Sequence, residues 1–170
     1  RGAGRSTGDH ASFARRALLV VQATLSVVLV AGSTMLARSL AHEGKYDPAA
    51  VLDGYVRWYD DPQPFDIGGT TRQALGAAAD APTREERFSA ALASASPGSQ
   101  ANGSLMRISP LAIWGWRLSP DELARLAAED SRLTHPNHVC LDAAAVFCIA
   151  LATAIREGTS ARETYDTARA

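Results

Sequence analysis

Residues 98–104 read Gly-Ser-Gln-Ala-Asn-Gly-Ser, and an apolar run through Ile113 follows them. Small residues let a backbone approach a bound group closely, and Gly103 can take φ > 0. Successive amides in such a turn, opening onto a helical run, form a concavity where N–H groups converge on an anion. Arg107 follows Gly103 by four residues and can close that concavity with a charged donor. The pattern fits a phosphate or ribose cradle, although a glycine loop ahead of a helix is more often only a turn. A second polar interruption is His135, between a predicted helix carrying Asp130 and another opening near Pro136. A neutral imidazole there either donates to a phosphate or merely caps the turn.

These residues need a scaffold, and the composition points to helices. The chain has 170 residues, room for one domain with a real core. Abundant alanine and few prolines favour an all-α fold. The formal net charge of −1 and the lack of any basic run exclude nucleic acid as an expected partner. Cys140 and Cys148 stand eight residues apart on one predicted helix, too far for a disulfide in regular helical geometry. No Cys/His spacing around them suits zinc, so they read as structural thiols of a reducing, cytoplasmic compartment.

Local signals place the elements. Asp47-Pro48 caps a helix over 48–59, with Val51, Leu52, Tyr55, Val56 and Tyr59 on its apolar face. A short helix begins at Thr70 or Thr71 and runs to Ala79. Capping boxes at Thr83–Glu86 and Ser119–Glu122 open two more, the second turning Leu123, Leu126 and Ala127 inward. His135-Pro136 starts a long apolar helix through Ile155, closed by Gly158. Trp58, Trp114 and Trp116 fill the core or its edge. Residues 1–14 are expected to be disordered and 15–170 to form a helical domain. The uncharged stretch 17–37 is long enough to span a bilayer, and Arg15-Arg16 would suit an anchor. The alternative is a core helix, apolar all round, over 17–40 and packed on the helix from 136 to 155. A chain opening on Arg1 is expected to be a fragment or a processed product.

The segment Asn102-Gly103-Ser104-Leu105-Met106-Arg107-Ile108-Ser109-Pro110-Leu111 resembles the central motif of the ADP-ribosylglycohydrolase family, which includes the dinitrogenase-reductase-activating glycohydrolases. Two further segments agree in order and spacing. Upstream, Tyr55-Val56-Arg57-Trp58-Tyr59 precedes Pro64-Phe65-Asp66-Ile67-Gly68 and Thr70-Thr71-Arg72. Downstream, Asp130-Ser131 and Leu133-Thr134-His135-Pro136-Asn137 run into Cys140 and Asp142-Ala143. The resemblance covers roughly 36–158. It implies a compact multi-helix array, here truncated, and hydrolysis of the glycosidic bond of ADP-ribosylated substrates with two magnesium ions.

By the same resemblance, Asn102, Gly103 and Ser104 form the nucleotide loop and His135 lies at the ADP-ribose site. Met106 and Arg107 share the loop motif and are either ligand-facing or structural. Asp66, Thr70, Thr71 and Arg72 are expected to be structural, with Asp66 capping the turn at Gly68-Gly69 and Arg72 pairing with Asp130 or Asp142. The family's Thr-Asp-Asp-Thr metal cluster falls on Val27-Val28-Leu29-Val30, whose side chains offer no oxygen to magnesium. A second aspartate-rich motif would lie beyond Ala170. The expectation is therefore a fragment or degenerate copy that holds no metal and does not turn over alone; the poor match before Leu36 suggests a reading-frame change. The alternatives are a metal-free ADP-ribose-binding module and a membrane-anchored helical scaffold. The expected partner is ADP-ribose or an ADP-ribosylated protein.

Overall fold

In the computed structural model the described residues are 45–62 and 67–169; they form seven α-helices and one 3-10 turn, with no strand among them. The expectations for 1–14, 17–37 and 17–40, for Val27-Val28-Leu29-Val30 and for Asp66 lie outside the described residues.

Helix α1 is Pro48–Tyr59, with the Asp47 carboxylate accepting from the Ala49 N–H at 2.9 Å and Pro48 at its first position. Val51, Leu52, Tyr55 and Val56 are buried, as their helical spacing requires. Helix α2, Gly69–Ala79, starts just before the expected Thr70 or Thr71, and its N-cap Gly68 supplies no side-chain acceptor. Helix α3, Arg84–Ser94, opens with the complete Thr83–Glu86 capping box. It packs on α2, and Arg84 joins it to α1 through Asp47 and Asp53. That network is exposed and contributes little.

Residues 95–104 then cross to a 3-10 turn, Leu105–Arg107, and the short helix α4, Ser109–Trp114. The apolar run through Ile113 predicts one helical stretch here, which the structure divides between the turn and α4. Helix α5, Pro120–Arg132, has Ser119 accepting from the Glu122 N–H, and it buries Leu123, Leu126 and Ala127.

Helix α6, His138–Glu157, begins three residues after His135 rather than at it. The His135 N–H is already used, donating at 2.7 Å to the Ser131 carbonyl and so closing α5. Proline at 136 brings no N–H and disfavours a helical residue before it. Asn137 caps α6 instead, accepting from the Val139 N–H at 3.0 Å. The helix ends at Gly158, which adopts φ +65° and donates to the Ala154 carbonyl. A last helix, α7 (Ala161–Arg169), lies beyond the elements that the sequence signals place, and Ser160 and Glu163 bond reciprocally at its start.

The core joins Leu52 of α1, Leu75 of α2, Leu111 of α4, Leu123 of α5 and Cys148 of α6, with Ile108 and Leu133 from the connections. Trp58, Trp114 and Trp116 pack against its edge. Helix α6 packs on α5, α4 and α7 through Cys140, Ala144, Cys148 and Ala152. Its other side leaves Val139, Val146, Phe147 and Ile155 exposed. Among the described residues α6 is the one helix long and apolar enough to cross a membrane, by length and composition.

Candidate functional site: the Gly103 loop and His135

The glycine loop and His135, 32 residues apart in sequence, meet in space. A Cβ at Gly103 would lie 2.6 Å from Thr71 Oγ1, 2.8 Å from His135 Cε1 and 3.1 Å from His135 Nε2. Glycine is thus required here by close approach. The expected left-handed conformation is not what requires it: among the described glycines only Gly158 has positive φ. Three elements converge, since Thr71 belongs to the first turn of α2, Gly103 to the loop and His135 to the α5–α6 connection.

The loop is tethered on both sides. Ser99 Oγ and Thr70 Oγ1 share a hydrogen bond of 2.8 Å, and Asn137 Nδ2 donates to the Pro97 carbonyl at 2.8 Å. Within the loop, the Asn102 and Ser104 carbonyls accept from the Met106 and Arg107 N–H groups. The amides of Gly103, Ser104 and Leu105 take no part in those bonds. Asn102 is exposed, Gly103 half-buried and Ser104 buried.

Arg107 does not project outward to close the loop. It is buried, and its Nη1 donates at 3.2 Å to the Gly103 carbonyl while Nη2 donates at 3.1 Å to the Asp130 carbonyl. The Asp130 carboxylate lies 3.4 Å from Nη2, and the guanidinium sits 4.6 Å from the Tyr55 ring centroid. Asp130 also accepts from the Tyr55 hydroxyl at 2.8 Å and the Tyr46 hydroxyl at 3.4 Å. Arg72 is not its partner: Arg72 is exposed on α2, and Asp142 is exposed on α6. An inward arginine is favoured because a buried carboxylate needs a cation and several donors.

Burial sets the electrostatics. The Asp130 carboxyl is pushed above its usual range by desolvation, against the opposing pull of Arg107 and the two tyrosines. Tyr55 and Tyr46 are raised well above 10, first by burial and then by Asp130, so both remain protonated donors. His135 is fully buried, and burial followed by the Arg107 charge lowers it to about 4. Its ring is therefore neutral at pH 7. Nδ1 lies 2.7 Å from Thr134 Oγ1, and the His135 carbonyl accepts from Ser131 Oγ at 3.2 Å. When the threonine donates to Nδ1, Nε2 carries the proton and faces Gly103. The cysteines are inert by comparison: burial raises Cys140, and Cys148 reaches about 12.

Among the described residues, four buried side-chain atoms lack a hydrogen-bond partner: Ser104 Oγ, Arg107 Nε, Asp130 Oδ1 and His135 Nε2. All four belong to this one region, whereas buried polar atoms are ordinarily satisfied. The Arg107 charge compensates Asp130 Oδ1 in part. Ser104 Oγ and His135 Nε2 have no such relief.

The sequence places Tyr55 on an apolar helix face and offers Arg72 to Asp130, whereas the structure brings the Tyr55 hydroxyl and Arg107 to that carboxylate. The signal available was chemical, since a tyrosine on a buried helix face needs an acceptor for its hydroxyl. The described residues hold no group of three or more His, Cys, Asp or Glu side chains that fits a metal ion. The two magnesium ions implied by the resemblance find no ligand set among the described residues.

No curated protein and no solved structure gives a significant match. The family model described as ADP-ribosylglycohydrolase matches residues 31–170, extending the resemblance at both ends and taking in the loop, Thr71, Asp130 and His135. The chain belongs to the ADP-ribosylglycohydrolase family.

Proposed function

We propose that this chain binds an ADP-ribosyl group over the Gly103 loop and does not hydrolyse it unaided. The observation that carries the proposal is the convergence of Gly103 on Thr71 and His135, with polar atoms of Ser104 and His135 left without partners. Asn102 and the half-buried Gly103 offer the accessible surface. The amides of residues 103–105 suit a phosphate oxygen. His135 stands behind the loop as a neutral donor and backs the peptide that faces the ligand.

The absence of turnover is proposed from ligand chemistry. Magnesium takes hard oxygen donors in octahedral geometry, and Val27-Val28-Leu29-Val30 stand where the family resemblance calls for carboxylates. No carboxylate cluster among the described residues replaces them. Calorimetric titration of the full chain with ADP-ribose tests the binding. Saturable heat is expected, lost on replacing Gly103 by valine and weakened in Asn102→Ala. Wild-type chain that gives no heat with ADP-ribose overturns the proposal.

A further inference from the structure

We infer that Tyr55, Asp130 and Arg107 form a positioning chain that fixes the Gly103 peptide against His135. This rests on the ADP-ribose reading proposed above and assigns the three residues a role behind the ligand surface, with no ligand contact. Asp130 and Ser131 are adjacent at the end of α5, and each holds one half of the site. Ser131 bonds His135 twice, through its carbonyl to the His135 N–H and through its hydroxyl to the His135 carbonyl. Asp130 holds the loop through Arg107, whose Nη1 reaches the Gly103 carbonyl and whose Nη2 reaches the Asp130 carbonyl and carboxylate. One dipeptide therefore sets the spacing between loop and imidazole.

Tyr55 supplies the third anchor. Its hydroxyl donates to Asp130 Oδ2 at 2.8 Å, and its ring lies under the guanidinium. The carboxylate and guanidinium are thus both oriented from α1. A planar, forked cation is needed because two acceptors on different elements must be reached at once. Lysine at 107 keeps the charge and loses the fork. Spacing matters because the loop and ring already stand so close that a single added carbon does not fit.

The test uses the full chain as wild type, Tyr55→Phe, Arg107→Lys and the control Leu123→Val, which trims a core residue seven positions from Asp130 on α5. ADP-ribose affinity is measured by calorimetry, melting temperature by circular dichroism, and the Gly103 and Ser104 amide resonances by NMR. Tyr55→Phe keeps the ring and removes only the hydroxyl. The expected result is an affinity loss of about tenfold in Tyr55→Phe and Arg107→Lys, the scale of one hydrogen bond to a charged group, with both amide resonances displaced. Leu123→Val is expected to lower the melting temperature while leaving affinity and those resonances unchanged. If the wild type binds and both site variants bind equally well, the positioning role is wrong. If the wild type does not bind ADP-ribose, the functional proposal fails, and the amide resonances decide the positioning chain: displaced in Tyr55→Phe they support it, unmoved they overturn it.

Discussion

Gly103 is the position where one carbon atom changes most. An added Cβ meets a hydroxyl and an imidazole below 3 Å, and both belong to buried side chains. Gly103→Ala is expected to lower stability by about 1–3 kcal/mol, as overpacking does, measured by denaturant unfolding. His135 gives a second residue-scale prediction, and its sign follows from proton linkage. The folded ring titrates at about 4 and the free ring at 6.5, so acid favours the unfolded chain. The contribution is complete above pH 6.5 and falls away toward pH 4, by about 3 kcal/mol at most. Asp130 acts oppositely, because its raised value favours the fold as pH drops. Comparing the wild type with His135→Gln cancels that second effect. The wild type should lose more stability than His135→Gln between those limits, and parallel pH profiles would contradict the assignment.

Helix ends were legible in the sequence because capping is local. Asp47-Pro48, Thr83–Glu86 and Gly158 act where their spacing placed them. The Ser160–Glu163 pair carries the same kind of local signal before α7. Pro136 reads as a helix opener in the sequence, whereas in the structure His135 closes α5 and Asn137 caps α6. The loop-to-histidine junction follows a different logic. Nothing local in residues 98–104 indicates that residue 135 lies behind them; only the family resemblance did. The Arg107–Asp130–Tyr55 contacts span 23 and 75 residues, and no periodicity reports such pairs. Asn137 links the two scales, accepting from Val139 and donating to Pro97. Asn137→Asp keeps the cap acceptor and removes the tether. Its melting temperature should stay close to wild type while hydrogen exchange at residues 99–101 speeds up. Asn137→Ala should lose both, at a cost of about 1 kcal/mol.

At the scale of the whole molecule, α1, the loop and the α5–α6 connection are held by buried polar contacts around Asp130, within an otherwise apolar core. Removing one partner of a buried pair leaves the other charge uncompensated, so Arg107→Met should destabilise the fold by about 3–5 kcal/mol. On the proposed function, binding surface and metal chemistry separate, because Val27-Val28-Leu29-Val30 stand where the resemblance calls for carboxylates. The loop, Thr71 and His135 are assembled, whereas the described residues contain no metal cluster. The purified chain should therefore release no ADP-ribose from a modified peptide when magnesium is added. The most direct measurement is titration calorimetry of the full chain with ADP-ribose, with and without magnesium, beside Gly103→Val and Asn102→Ala. Binding that is saturable in the wild type, indifferent to magnesium and reduced in both variants is the predicted result. No binding by the wild type, or binding that requires magnesium, would contradict the account.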